Sequence, residues 1–231
     1  MKQFLTVIIL CLSVLTGLSQ EINYGVYIGT SFSKWSGDTE IFAQQLSSEM
    51  NLSSDFSGFS FTNEARIGFS FGGFIEYDLT NQFSIRPELL YVQKGTRFHS
   101  SGSAADYDVN MNIIMQNDYL ELPVLLKLTL SSREDLIQPY IYGGPSFGYA
   151  IRSKIKGRAR IDGESDTETE DFDGFKDFNL GLNVGGGIKY KEASIEVRYQ
   201  KGLDTALKDD YSGGFDVREN FFSINLLIHQ F

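Results

Sequence analysis

Cysteine is almost absent. The single one, Cys11, lies within the N-terminal apolar run, so the chain beyond it forms no disulfide. A small secreted domain stapled by disulfides is excluded, whereas a bacterial envelope protein is ordinary in this respect. Cys11 also lacks the preceding small residue that a lipoprotein signal needs. Histidine is scarce too, which restricts any imidazole chemistry to His99 and His229. After the N-terminus no apolar run approaches the roughly 20 residues of a membrane-spanning helix. If this chain enters a membrane it must do so as a closed barrel, because an open sheet edge cannot be satisfied in lipid. Basic charge is short as well: 20 Lys and Arg stand against 30 Asp and Glu, a formal net charge of -10, which argues against a nucleic-acid partner.

The N-terminus reads as a secretory signal. Lys2 gives the positive region, Phe4 to Leu15 the apolar region, and Gly17-Leu18-Ser19 the small residues of a cleavage site. The expectation is a cleaved peptide over 1–19 and one domain over 20–231. Beyond it, the sequence is rich in Phe (19), Tyr (12) and Gly (23), with only 4 Pro.

Alternation is clearest from Phe178 to Tyr199. Phe178, Leu180, Leu182, Val184, Ile188 and Tyr190 share one face, and Asn179, Gly181, Asn183, Gly185, Gly187 and Lys189 the other. After a short turn, Ile195, Val197 and Tyr199 alternate with Ser194, Glu196 and Arg198. A period of two marks strands with one apolar and one polar face, and the turn suits an antiparallel hairpin. The same hairpin occurs earlier. Gly68–Tyr77 aligns with Gly181–Tyr190, and the stretch from Ser84 to Gly95 aligns with that from Ser194 to Gly202. Charges on the polar face swap sign between the copies: Glu76 for Lys189, Arg86 for Glu196, Glu88 for Arg198. Repeated hairpins point to a closed, repetitive sheet.

Eight strands follow in order. The first spans Tyr24 to Phe32, the hairpin gives two more, and the fourth runs from Tyr119 to Leu130 with leucines on one face. Strand five covers about Pro139 to Arg152, the second hairpin gives two, and Phe222 to Phe231 is the last. Long loops are expected at Ser33–Asn63, where Ile41 to Met50 suits a short helix, and at Thr96–Asn117, Ser153–Lys176 and Leu203–Arg218. Long and short connections alternate, as in outer-membrane barrels with short periplasmic turns and long outer loops. The expected fold is all-β: a closed antiparallel up-and-down transmembrane β-barrel of about eight strands.

A soluble barrel of lipocalin type alternates as well, with its apolar face inward. Three features favour the membrane. The polar face is crowded with small residues, as a narrow interior demands. Its charges nearly balance, with Glu76, Glu88, Glu121 and Glu196 against Arg86, Lys127, Lys189 and Arg198, which suits a self-paired interior network. Aromatics on the apolar face (Tyr24, Phe32, Tyr77, Phe83, Tyr91, Tyr190, Tyr199, Phe222) sit near strand ends, where interfacial girdles belong.

Several motifs strengthen this. Pro87–Leu90 with Tyr91 and Gln93–Gly95, then Tyr119–Pro123, then Pro139-Tyr140 with Gly143–Pro145, resemble the PorT-family outer-membrane β-barrel domain across essentially the whole mature chain. The resemblance implies an eight-stranded barrel in the cell outer membrane and carries no catalytic motif. C-terminal Phe231 fits an assembly-signal aromatic but is out of phase with Phe222, Ile224, Leu226 and Ile228.

Function classes narrow accordingly. Eight strands leave an interior just wide enough for side chains, so a general porin is not expected. His99 with Ser100, Ser101 and the carboxylate of Glu88 is the sole arrangement resembling a lipid-modifying triad; a solvated loop histidine is the simpler account. No nucleophile elbow, metal-ligand spacing or phosphate loop occurs, and no cofactor is expected. The acidic run Asp162, Glu164, Asp166, Glu168, Glu170, Asp171 and Asp173 lacks the EF-hand pattern, though carboxylates there suit Ca²⁺ or divalent bridges to lipopolysaccharide. The expected partners are outer-membrane lipid and lipopolysaccharide, with an envelope protein reached through the long loops. A non-enzymatic structural or recognition role leads, with a secretion accessory and a lipid-modifying enzyme as alternatives.

Overall fold

Alternating sequence builds long strands, and the long strands close on themselves. In the computed structural model, which describes residues 22–51, 60–104, 107–161, 164–208 and 213–230, nine strands and one helix follow one another. They are β1 (Ile22–Gly37), α1 (Thr39–Asn51), β2 (Thr62–Asp78), β3 (Phe83–Ala104), β4 (Tyr107–Thr129), β5 (Ile137–Ile161), β6 (Glu164–Asp171), β7 (Phe178–Tyr190), β8 (Ala193–Gly202) and β9 (Val217–Gln230). Every pairing is antiparallel. The ring order β4-β3-β2-β1-β9-β8-β7-β5 is closed by the pairing of β4 with β5, giving an eight-stranded barrel. The expected signal peptide (1–19), Asp162 and Phe231 lie outside the described residues.

Closure leaves the apolar face outside. Val26, Ile28, Leu122, Leu126, Phe147, Leu182, Ile195 and Ile224 are all 41% exposed or more, and they form a continuous belt around the wall. Only lipid can cover such a belt on a closed barrel. Aromatic rings bound it on both sides. Tyr24, Phe83 and Tyr190 mark the end carrying the short turns, while Phe32, Phe222, Tyr199, Tyr149 and Phe178 mark the other. At that second rim the rings touch: Phe32 and Phe222 lie 6.5 Å apart, Tyr149 and Phe178 5.2 Å. Short turns identify the periplasmic end and long connections the outer end.

Several loop expectations need correcting. Thr96–Asn117 is a ladder, paired without interruption from Gly95↔Gln116 to Ala104↔Tyr107. Ser153–Lys176 is not a loop either. β5 continues to Ile161, and Glu164–Asp171 returns as β6, pairing from Lys154↔Asp171 to Ile161↔Glu164. β1 extends to Gly37 and β2 begins at Thr62, so the first long connection is shorter than expected. The helix is present as α1, opened by the bond from Phe42 N to Asp38 O (3.0 Å), and it packs Ala43, which is buried, and Phe42, which is partly buried, against the outer apolar cluster, with Ile41 exposed. The alternation of β5 does put Ile141, Phe147, Tyr149 and Ile151 outside and Tyr140, Tyr142 and Ser146 inside; Arg152 is exposed because a bulge at Asp118/Tyr119 resets the phase.

Small residues inside are a steric requirement. A Cβ at Gly185 would come within 2.5 Å of the Val197 carbonyl oxygen and the Tyr142 ring, and the backbone side of that clash cannot relax cheaply. Glycine on this face makes room for the large side chains that fill the middle.

Candidate functional site

The barrel interior is built in layers. In the middle layer Arg86 and Glu88 reach inward from β3, and Glu196 and Arg198 from β8 on the opposite wall. Arg86 contacts Glu88 at 2.8 Å and Glu196 at 2.9 Å; Arg198 contacts Glu88 at 2.8 Å and Glu196 at 2.9 Å. The four side chains are at most 1% exposed. Aromatic faces complete the shell: Arg86 lies 4.9 Å from the Tyr142 ring centre and Arg198 5.2 Å from that of Tyr27. Tyr140 donates to Glu196 at 3.1 Å. The quartet carries no net charge, which is what a buried site of low dielectric requires.

Below it, toward the periplasmic mouth, Lys127 donates to both Glu76 oxygens at 2.8 and 3.1 Å. Ser194 Oγ lies 2.7 Å from His229 Nε2, with Phe74 edge-on to the imidazole. Lys189 is half-buried and lines the mouth with Glu76, Lys127 and Arg133 around a cavity of about 310 Å³. Arg133 ties two periplasmic turns together, donating to the carbonyls of Thr80 and Asn81 and pairing with Asp78.

Above the quartet Lys94 pairs with Glu121, and Gln200 donates to Ser146. Glu219 accepts from Asn117 Nδ2 at 3.0 Å and from the Trp35 indole at 3.4 Å. There the character changes. Trp35, Ala43, Phe61, Phe98, Val109, Met111, Met115, Phe175, Leu207 and Val217 form one apolar cluster across the outer mouth. Trp35 is its centre, with ring centres of Phe42, Phe98 and Phe175 at 5.8, 5.9 and 6.0 Å. The connections after β6 and β8 zip together over it, through Lys176 N to Ala206 O at 2.9 Å and Lys208 N to Gly174 O at 2.8 Å. At its edge the Arg218 guanidinium bonds to Asp216 and holds that exposed carboxyl below its usual range.

The structure thus brings Glu76 with Lys127, Arg86 and Glu88 with Glu196 and Arg198, and Glu121 with Lys94, while Lys189 stands at the mouth. Lys94, Glu219 and Asn117 are interior groups that the sequence pattern did not single out, and His229, which has no nucleophile near it in sequence, meets Ser194 on adjacent β8; all four continue the inward phase of their strands. The triad reading of His99 loses its carboxylate. His99 Nδ1 faces Asn112 Oδ1 at 3.1 Å on the outer ladder, whereas Glu88 is committed to two arginines in the barrel middle. The acidic stretch from Glu164 to Asp171 is an extended strand with all its side chains exposed, and Asp173, in the turn that follows, is exposed as well. Among the described residues no three His, Cys, Asp or Glu converge as metal ligands.

Comparison with known proteins agrees with this architecture. Residues 18–207 match the family model described as outer membrane protein beta-barrel domain. No curated protein matches the chain significantly. Among solved structures, Ail of Yersinia pestis, in complex with the heparin analogue sucrose octasulfate, is 13% identical with a TM-score of 0.39, over 91% of this chain and 99% of that one. Neisserial surface protein A is 13% identical with a TM-score of 0.38, over 89% and 96%. OprG of Pseudomonas aeruginosa is 10% identical with a TM-score of 0.39, over 90% and 95%. Likeness at this level carries no functional inference.

Proposed function

Because the chain belongs to the outer membrane protein beta-barrel domain family and so resides in the outer membrane, we propose that it is a non-enzymatic integral barrel whose outer end recognises an envelope partner. The observation carrying this reading is the filled interior beneath a packed cap. With the quartet side chains no more than 1% exposed and an aromatic cluster across the mouth, the wall encloses side chains rather than a passage. What the molecule offers to others is its surface, above all the rigid ladder of β3 to β6 that rises beyond the belt.

Membrane fractionation and a gel run with and without boiling test it. An outer-membrane protein that migrates faster unboiled, with no enlarged conductance in planar bilayers, fits; a wide steady pore contradicts it. The His99→Ala/Ser101→Ala variant leaves lipid A mass unchanged, and a mass shift between wild type and variant would establish the lipid-modifying alternative. Within the family we place the chain beside PorT-like domains, on the motifs Tyr119–Pro123 and Gly143–Pro145. A secretion accessory of that kind co-purifies with a larger envelope complex, whereas a solitary barrel runs alone. Residues 1–19 are proposed as a cleaved signal, so N-terminal sequencing of the membrane form reads from Gln20.

A further inference from the structure

Basic residues recur at every second position along outer β5: Arg152, Lys154, Lys156, Arg158 and Arg160. Strand register fixes where they point. Opposite them on β4 stand Asp118, Gln116, Ile114, Asn112 and Asn110. These even positions continue the face of Leu120 and Leu122, which lie on the lipid-facing wall. The cations therefore occupy the outside of the wall, directly above the aromatic rim at Tyr149. The opposite face of the same ribbon holds Ile155, Gly157 and Ala159, with Glu170, Glu168 and Asp166 across on β6. The β5–β6 ribbon thus separates its charges, basic on the outside of the wall and acidic on the side turned toward the barrel axis.

The basic face is available. Lys156, Arg158 and Arg160 make no ion pair among the described residues, and Lys154 has one long contact of 3.6 Å, to an Asp171 that is 83% exposed. Arg158 donates to Thr167 Oγ1 at 3.3 Å, a bond that orients the guanidinium without neutralising it. Acidic residues on this face sit at its lower end, with Asp118 directly across from Arg152 on β4 and Asp171 directly across from Lys154 on β6, while Asp108 on β4 and Glu64 on β2 stand away from the row. In a chain of net charge -10 the grouping is local and of one sign.

Height selects the occupant. Strand rise puts Arg152 about 10 Å beyond Tyr149 along β5, and Arg160 about 36 Å beyond it. Strand tilt shortens both to roughly three-quarters along the membrane normal. The first anions a wall-facing cation meets there are the phosphates on the sugar headgroups of the outer leaflet. We propose that Arg152, Lys154 and Lys156, continued outward by Arg158 and Arg160, form a binding ridge for the phosphate-bearing sugar headgroups of lipopolysaccharide. It rests on the outer-membrane reading above, and it assigns contact with the leaflet to one strand. Guanidinium and ammonium groups spaced two residues apart along a rigid ladder give several charge-assisted contacts to phosphate without ordering a loop.

The test uses the full-length protein, immobilised in detergent and titrated with lipid A, either intact or with its phosphates removed. Wild type binds the phosphorylated form and loses most of that affinity when the phosphates are removed or salt is raised. Arg152→Glu/Lys154→Glu/Lys156→Glu binds on the order of a hundredfold more weakly, at about fivefold per charge lost. The charge-preserving Arg152→Lys/Lys154→Arg/Lys156→Arg variant binds like wild type, and both variants keep the gel shift of a folded barrel. A folded Glu variant with unchanged affinity overturns the proposal. So does equal binding of both lipid A forms, or binding of soluble dextran sulfate without binding of lipid A, which would assign the ridge to a polymer. Loss of outer-membrane location and of the gel shift in wild type itself would overturn the barrel reading and this proposal together.

Discussion

β4 and β5 each cross two worlds. In their lower halves Leu120, Leu122, Leu126, Phe147 and Tyr149 face outward, while Glu121, Lys127 and Ser146 are buried. In their upper halves Met111 and Met115 are buried, while Arg158 and Arg160 point out to exposure. The alternation of side chains never stops; only the chemistry assigned to each phase reverses. Below the rim the solvent outside is hydrocarbon, so apolar side chains go out and charges go in as neutral sets. Above it the solvent is water, and the usual burial preference returns. The level of the reversal is therefore a reading of where lipid ends.

The comparison can be broken most severely from below. Arg198→Met leaves Glu88 and Glu196 short of a cation in the barrel middle and costs about 3–5 kcal/mol, read as a shift in the urea midpoint of the barrel in vesicles. Exchanging the charges of a facing pair, Arg86→Glu with Glu196→Arg, restores neutrality and recovers part of what Arg86→Glu alone loses. Trp35→Ala attacks the cap and costs about 3 kcal/mol. Here the loss is local: protease cuts around 39–51 and 203–216 faster, while the unboiled gel shift persists. Val124→Arg puts a cation on the lipid-facing wall between the two aromatic rims and costs about 2–3 kcal/mol. The same substitution on the same strand and phase above the rim, Gln116→Arg, changes stability by no more than about 0.5 kcal/mol. Equal costs at 124 and 116 would mean that the belt does not end where the polarity reverses.

Much of this was open to a reader of the sequence, and the part that was hidden follows from the same reversal. An apolar phase such as Leu120-x-Leu122-x-Val124 announces a strand. When Met111 and Met115 moved the apolar residues to the other phase, with polar residues around them, Thr96–Asn117 resembled a loop although its backbone alternates throughout. The basic ridge was hidden for a further reason, since Arg152 to Arg160 has no apolar outward phase at all. The quartet was nearly legible. Arg86 with Glu196, and Glu88 with Arg198, were visible as sign-swapped positions of a repeated hairpin, and they pair because the two hairpins stand on opposite walls of the ring. Pairing across a barrel is fixed by closure, which no local pattern contains. The cap was the least accessible: Trp35, Phe98, Phe175 and Leu207 come from four separate segments and meet only once the ladder has risen above the rim.

The most direct measurement exploits the scarcity of cysteine. Single cysteines placed outward along β5, at Phe147, Tyr149, Lys154, Lys156 and Arg158, are exposed in turn to a membrane-impermeant maleimide on intact cells. Cys11, within the proposed signal, contributes no background to the mature barrel. The account predicts no labelling at 147 and 149, reduced labelling at 154 and 156 where lipopolysaccharide headgroups cover the wall, and strong labelling at 158. Labelling at 147 equal to that at 158, or none at 158 without breaking the cells, would contradict it: the first would place the apolar wall in water, and the second would put the ladder on the wrong side of the membrane.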